Sequence, residues 1–430
     1  MATHLTALDA RNLIFGFAFY YPLFMAWIWI IGGLWFYFRH ERRGQGLVEE
    51  LPPSSDPPPC SLLIPFFNEQ EHVRDTVAYA LASTYPQFEV VAIDDGSADQ
   101  TGAILDELAR HDSRLRVVHL DQNQGKAVAL RTGAAAARHE FLLCIDGDAL
   151  LHPHAAAWAM QHFADGPRVG AVTGNPRILN RSTLLGRVQV GEFSCIIGLI
   201  KRAQRTYGRI FTVSGVIVAF RRAALQRIGY WNEDMITEDI DVSWRLQLDH
   251  WDVRYEPRAL CYIYMPETLK GLWTQRLRWA QGGVEVLMRY GRNLSTWRNR
   301  RFWGVALEYF TSVVWAYVML LIFVLFFAGL VVDVPAPWRV NTLLPTWNGL
   351  VLGCTCLMQF LVSLWVDRRY ERKRFWGNYF WVIWYPLLYW MLSMLTVVVA
   401  LPRTLLSRRG RRARWTSPDR GLRPADGELP

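Results

Sequence analysis

Through the middle of the chain, short apolar runs alternate with longer amphipathic segments, and long apolar runs bracket that region. Ser61–Pro65, Phe88–Ile93, Leu115–Leu120, Phe141–Ile145 and Val169–Thr173 read as strands, while Glu69–Ala82 and Thr101–His111 read as helices. Strands interleaved with helices predict an α/β domain with a mostly parallel sheet, over residues 60–264. On such sheets ligands bind at the carboxyl ends of the strands. Asp94-Asp95 and Asp146-Gly147-Asp148 both follow strand-like runs and fall at that kind of position.

The flanking pattern is different. Ile14–Phe38 is almost wholly apolar and long enough, at about 1.5 Å per residue, to cross roughly 30 Å of hydrocarbon. It is longer than a signal-peptide core and has no basic leader or small-residue cleavage site, so it predicts a span within residues 1–47. Arg39, Arg42 and Arg43 follow it, which places that end in the cytoplasm and the N-terminus outside. Residues 48–59 form a Pro-rich linker. Residues 265–304, rich in Trp, Arg and Leu, predict interfacial amphipathic helices. Residues 305–402 carry further spans at Val305–Val332, Asn348–Val366 and Trp376–Leu401, and 403–430 form a basic tail. The loop Asp333–Thr346 has one basic residue and should be external, and Arg368, Arg369, Arg372, Lys373 and Arg374 internal. The last segment divides the argument. A single span puts the tail outside, yet six arginines between Arg403 and Arg414 favour the inside, and Pro386 allows a broken or re-entrant segment.

Composition sharpens this picture. The chain of 430 residues is 51% hydrophobic and holds 20 Trp, a load suited to a lipid–water boundary. Its net charge of +9 clusters beside apolar stretches, as juxtamembrane basic residues do, which makes nucleic-acid binding the weaker reading. The six cysteines form no CxxC pair, so neither a disulfide framework nor a cysteine metal site is expected.

The candidate chemistry is acidic. Mg²⁺ or Mn²⁺ is commonly held by one or two carboxylates plus substrate phosphates. Asp146 and Asp148 have the spacing for that, with Gly147 allowing close approach, and the alternative is a solvated turn. Asp95, or Asp94, could accept from a base or a ribose; a turn or cap is the alternative for either. Asn68 and Glu69 follow the strand end at Ile64-Pro65-Phe66-Phe67, where helix capping and ligand contact are equally open; Pro65 is grouped with them as a substrate-side candidate. Lys126 could meet a phosphate as a point charge. Thr237-Glu238-Asp239 offers a general base, or a helix N-terminus with Thr237 as cap, and both can hold together. Gln275, Arg278 and Trp279 share one helical face. By composition that face reads first as an interfacial anchor.

Taken together, these residues resemble processive family-2 glycosyltransferases: a GT-A domain with an acidic nucleotide site, a DxD, a TED and a QxxRW. The group includes cellulose, chitin and hyaluronan synthases. The stretches Val172–Arg177, Phe211–Val216, Met235–Asp241, Met265–Trp273 and Arg412–Gly421 are most similar to bacterial poly-β-1,6-N-acetylglucosamine synthases. There are departures. Some relatives carry two leading spans where one is expected here, and Ala98 replaces a hydroxyl residue in Asp95-Gly96-Ser97-Ala98-Asp99.

The resemblance implies a multi-pass enzyme of the bacterial inner membrane, with a cytoplasmic GT-A domain between membrane helices. It would polymerise UDP-N-acetylglucosamine with Mg²⁺ or Mn²⁺ into a growing poly-N-acetylglucosamine chain and couple synthesis to secretion. It further implies Asp95 on the uridine, Asp148 on the metal with Asp146 near the ribose or diphosphate, and Asp239 deprotonating the acceptor 6-hydroxyl with Glu238 and Thr237 beside it. Gln275 and Arg278 would hold the diphosphate, and Trp279 would stack on the acceptor sugar. A small two-span membrane partner and cyclic di-GMP are implied as requirements for activity, with Arg408–Arg414 as one candidate contact. Competing readings are a chitin- or hyaluronan-type synthase of different linkage, a single-addition transferase, and a polysaccharide or lipid transporter without catalysis. The spans carry few buried charges for a transporter, Glu308 being the main one.

Overall fold

The computed structural model describes residues 2–42, 57–164, 166–343, 347–371, 377–383 and 385–407. The tail from residue 408 and most of the Pro-rich linker lie outside the described residues.

The strands are β1 (Cys60–Phe66), β2 (Phe88–Asp94), β3 (Leu115–His119), β4 (Phe141–Ile145), β5 (Leu150–Leu151), β6 (Val169–Ile178), β7 (Ile217–Arg221) and β8 (Asp252–Ile263). They form one mixed sheet in the order β3-β2-β1-β4-β7-β6-β8-β5. The β3-β2-β1-β4 half is parallel, as is β6 with β8; β7 runs antiparallel to both its neighbours. The first five strand expectations fall on β1, β2, β3, β4 and β6, the last of which runs five residues further than its apolar signal.

The helices are α1 (Ala2–Phe36), α2 (Val73–Leu81), α3 (Thr101–His111), α4 (Lys126–Ala136), α5 (Ala155–Ala164), α6 (Leu184–Phe193), α7 (Lys201–Tyr207), α8 (Arg222–Ile228) and α9 (Glu238–Leu248). They continue with α10 (Leu269–Tyr290), α11 (Trp303–Gly329), α12 (Trp347–Asp367), α13 (Gly377–Val382) and α14 (Tyr385–Leu406). A π-helical stretch, Ser194–Ile200, joins α6 to α7.

Both faces of the sheet are covered, and β1 shows why. Leu62, Ile64 and Phe66 point to one side with Val77, Leu105 and Trp158; Leu63 points to the other with Leu130, Leu225 and Leu246. A strand buried on both faces must be apolar throughout, which is why β1, β2 and β4 read as continuous runs. Their parallel register carries the polar ends to one edge: Phe66 pairs with Asp94, and Asp146 follows directly after β4.

Among the described residues, three helical stretches are long and apolar enough to cross a membrane: Asp9–Glu41, Trp297–Gly329 and Trp347–Tyr370. The last apolar segment, Trp376–Leu401, left open between a single span and a broken one, carries two helices among its described residues, α13 and α14, and α14 contributes the shorter apolar stretch Trp390–Leu406. Pro386 stands in the first turn of α14, where its missing N–H costs no helical bond. Residues 265–304 hold one long helix, α10, and two 3₁₀ turns, Gly291–Ser295 and Trp297–Phe302.

A buried ionic chain joins the apolar helices to the sheet. Arg202 of α7 donates to Glu41, just past α1, at 2.6 Å and to Asp367, at the end of α12, at 2.8 Å. Arg177 of β6 reaches Asp367 at 2.6 Å and Glu371 at 2.7 Å. Tyr370 Oη donates to Glu41 at 2.6 Å.

Candidate active site

The site is assembled where the end of β4 and the start of α4 meet the first turn of α9 and the face of α10. Lys126 opens α4 and holds two carboxylates at once: its Nζ lies 2.6 Å from Asp146 and 2.9 Å from Glu238. It also donates to the Gly215 carbonyl at 3.3 Å. The Asp239 carboxylate accepts from the backbone N–H of Gly215 at 3.3 Å and from that of Ile240 at 2.9 Å. The acids of the TED therefore sit in the first turn of α9, where the helix dipole favours them. Thr237 occupies the cap position, but its side chain makes no cap bond. Its Oγ1 is turned instead toward α10, where a Cβ on Gly282 would come within 1.9 Å of it.

The electrostatics follow from burial and pairing. Burial opposes the charge of Lys126, but Asp146 and Glu238 outweigh it and hold the amine well above the ordinary lysine range. Burial alone would raise Glu238; Lys126 overrides it and the carboxyl stays low. Asp146 is raised by burial and by the Asp148 charge, against Lys126. Asp239 is raised by burial first and by its neighbour Glu238 second, which suits a carboxylate that must accept a proton near neutral pH.

Asp148 lies two residues from Asp146. Gly147 between them packs on the end of β1: a Cβ there would stand 2.7 Å from the Pro65 carbonyl oxygen. Thr76 anchors the Gly147 carbonyl at 3.0 Å. Among the described residues no three His, Cys, Asp or Glu side chains converge as a metal cage. The two carboxylates, one of them already neutralised by Lys126, fit a hard cation that takes its remaining oxygens from a diphosphate.

One cavity of about 620 Å³ collects this chemistry. Lys126, Asp146, Asp148, Thr237, Glu238, Asp239, Gln275, Arg278 and Trp279 all line it. Pro65, Asn68, Glu69, Asp94 and Asp95 do not, although they belong to the same sheet edge. Asp95 is fully buried, and its carboxylate accepts from the N–H groups of Gln124 at 2.9 Å and Gly125 at 2.8 Å, bracing the loop that presents Lys126. Burial raises it, against those two bonds. Asp94 accepts from Ser97 N–H and faces His119, both at 3.0 Å. Asn68, in the left-handed region at φ 55°, exchanges bonds with Ser97 and Ala98. The Glu69 N–H donates to Thr101 at 2.8 Å.

On α10, Gln275, Arg278 and Trp279 face the cavity together. The side chain between them, Arg276, is a residue that sequence reasoning passed over. It forms a buried ion pair with Glu192 at 2.8 Å and lies 4.3 Å from the centre of the Trp279 ring, fixing that ring's position. Lys201 was also missed. It is buried, reaches Thr173 at 3.4 Å, and burial pushes it down to about 7 against the pull of Asp239. No motif spacing marks either residue; both follow from how α6 and α7 pack.

Beyond Trp279 the same cavity continues between the apolar helices. Trp29 of α1, Glu308 of α11, Gln359 of α12 and Thr396 of α14 all line it. Glu308 accepts from Trp29 Nε1 at 3.2 Å and from Gln204 at 3.1 Å.

Residues 57–282 match the family described as "Glycosyltransferase like family 2". The chain belongs to glycosyltransferase family 2. It is 39% identical over 411 residues to a poly-beta-1,6-N-acetyl-D-glucosamine synthase of Staphylococcus epidermidis, covering 95% of this chain and 98% of that one. It is 38% identical over 415 residues to the enzyme of the same name from Staphylococcus aureus strain COL, again covering 95% and 98%. Among solved structures it is similar to the mannosyltransferase PcManGT from Pyrobaculum calidifontis in complex with GDP-Man and Mn²⁺. That likeness has TM-score 0.60 and 17% identity, and covers 93% of this chain and 98% of that one. It establishes the GT-A fold with flanking apolar helices. The family is one of hexosyl transfer, so the cavity is the place to seek a sugar donor and acceptor.

Proposed function

We propose that this glycosyltransferase polymerises N-acetylglucosamine from UDP-N-acetylglucosamine into a β-1,6-linked chain and feeds the product outward between its apolar helices. The observation that carries this reading is the continuity of one cavity, from Asp148 and Asp239 past Trp279 to Glu308 and Thr396. The names of the S. epidermidis and S. aureus relatives support the polymer and its linkage. The long apolar helices support a membrane protein; in this reading the sheet lies on the cytoplasmic side, the side of Arg39 and Arg42 after the first span.

In this reading Asp239 takes the proton of the acceptor 6-hydroxyl. The oxygen attacks C1 of the donor sugar on the face opposite UDP, the C1–O bond to the diphosphate breaks, and the α-linked donor gives a β-linked product. Lys126 and Arg278 neutralise the diphosphate as it leaves, which frees Glu238 and Asp146 from Lys126. Gln275 orients the same group, and Trp279, held by Arg276, offers its face to the acceptor sugar. Asp95, through the 124–125 loop, sets the nucleotide side of the site. A divalent Mg²⁺ or Mn²⁺ held by Asp148, with Asp146 beside it, would supply positive charge to the leaving diphosphate. A two-span membrane partner, completing the helical wall, and activation by cyclic di-GMP belong to the same reading.

Membranes carrying the full chain, given labelled UDP-N-acetylglucosamine and Mn²⁺, should release UDP and form a polymer that a β-1,6-specific glycosaminidase degrades. A polymer resistant to that enzyme would move the assignment to a synthase of another linkage. Absence of UDP release would contradict transfer altogether.

A further inference from the structure

A second cavity, of about 700 Å³, shares no lining residue with the first. Arginine dominates its wall: Arg168 precedes β6, Arg205 and Arg209 come from α7 and the turn after it, and Arg298, Arg300 and Arg301 come from the 3₁₀ turn before α11. One carboxylate, Asp252, faces them, and Arg205 at 2.8 Å and Arg254 at 2.9 Å already engage it. Arg168, Arg209 and Arg298 meet neutral acceptors. Arg209, which is buried, donates to the Trp251 carbonyl at 3.1 Å; Arg168 donates to the His250 carbonyl at 3.4 Å; Arg298 donates to His250 Nε2 at 2.7 Å. Among the described residues, none of Arg168, Arg209, Arg298, Arg300 and Arg301 closes a salt bridge to a carboxylate. Burial, with the charges of Arg301, Arg205 and Arg168, pushes Arg209 below its ordinary range despite Asp252. So many like charges lining one concavity repel one another unless an anion fills it.

The depth of this pocket is set by its neighbours. Arg301 stands just ahead of α11, whose Glu308 accepts from Trp29 in α1. Tyr207, in the pocket wall, donates its hydroxyl to the Ile28 carbonyl of α1. Beside the pocket, Trp297 is 70% exposed and Trp303 39%. Exposed Trp next to clustered Arg, where an apolar helix begins, is the composition of a headgroup layer. Guanidinium groups suit phosphate oxygens because they can donate two parallel bonds.

We propose that this arginine pocket binds a phosphate-bearing anion at the membrane face of the protein. The headgroup of an anionic phospholipid and a soluble phosphate share that chemistry, and the depth and the flanking Trp favour the headgroup. The proposal rests on the reading that α1 and α11 cross a membrane.

The test uses the full-length protein in neutral detergent, with thermal unfolding as readout and three additions: short-chain phosphatidylglycerol, short-chain phosphatidylcholine, and inorganic phosphate. Phosphatidylglycerol should raise the melting temperature by several degrees more than phosphatidylcholine does. Arg168→Gln/Arg301→Gln should lose at least half of that extra shift; Arg300→Gln/Arg301→Gln serves as a second variant should the first fail to fold. An equal shift from inorganic phosphate at equal concentration would keep the pocket and overturn the headgroup as its source. Equal shifts from the two lipids without a phosphate response, or variants that respond as the wild type does, would overturn the site. Failure of the membrane reading would look different: the protein would stay soluble and monodisperse without detergent.

Discussion

Arg202 donates to Asp367 at 2.8 Å, and neither side chain retains any exposed surface. The pair joins α7 of the sheet domain to the end of α12, and Arg202 also binds Glu41 past α1. Removing one partner of such a pair leaves an uncompensated buried charge, a cost of about 3–5 kcal/mol. Arg202→Met should therefore lower thermal stability in detergent sharply and reduce polymer yield, whereas Arg74→Met, at an exposed pair with Glu107, should leave the melting temperature close to that of the wild type. Melting curves of the two variants side by side check this.

The pH dependence follows from Asp239. Burial and the charge of Glu238 raise its pKa above the ordinary 3.8. As the proposed base it must be deprotonated, so activity should be full above the raised pKa and fall as pH drops through it, at higher pH than for an unperturbed carboxylate. Lys126 lowers the pKa of Asp239. Lys126→Met should thus move the acidic limb further up, besides reducing the maximal rate. Normalised pH–rate profiles of UDP release give both limbs.

Close packing between α9 and α10 holds the turn that carries Asp239. A Cβ at position 282 would meet Thr237 Oγ1 at 1.9 Å and its Cβ at 2.7 Å, so α9 must shift. Overpacking of this kind costs about 1–3 kcal/mol. Gly282→Ala should reduce stability by that order and reduce turnover as well. Thr237→Ala in the same chain should recover part of the stability, measured by thermal unfolding.

Metal dependence tests the role of Asp148. Chelation should arrest UDP release and Mg²⁺ or Mn²⁺ should restore it. Losing one charge-assisted ligand bond costs roughly 1.5–3 kcal/mol, so Asp148→Asn should need at least about tenfold more metal for half-maximal rate. Titration of both proteins with Mn²⁺ decides the matter.

Much of this architecture was legible in the chain. The parallel core strands announce themselves because burial on both faces makes them continuously apolar, and Asp146-Gly147-Asp148 and Thr237-Glu238-Asp239 are local patterns. The antiparallel β7 and the long β8 were not legible. Arg221, Asp252, Arg254, Glu256 and Arg258 break their apolar pattern; Arg254 pairs with Asp252 and Arg258 with Glu256 along β8, and distant partners complete the set, such as His162 with Glu256 at 2.9 Å. Arg276 and Lys201 escaped for the same reason: a buried charge is explained by its partner, and the partner is distant in sequence. The division of the acidic set was equally hidden. Asp94 and Asp95 stand side by side, yet one is turned to His119 and the other to the loop before Lys126.

The most direct measurement is made on Asp239→Asn. Isothermal titration with UDP-N-acetylglucosamine should give an affinity close to that of the wild type, because the diphosphate contacts are untouched. Polymer formation in the same preparation should fall by about 10²–10⁴-fold, the contribution of a positioned base. Polymer yield near the wild-type level in that variant would contradict the account at its centre.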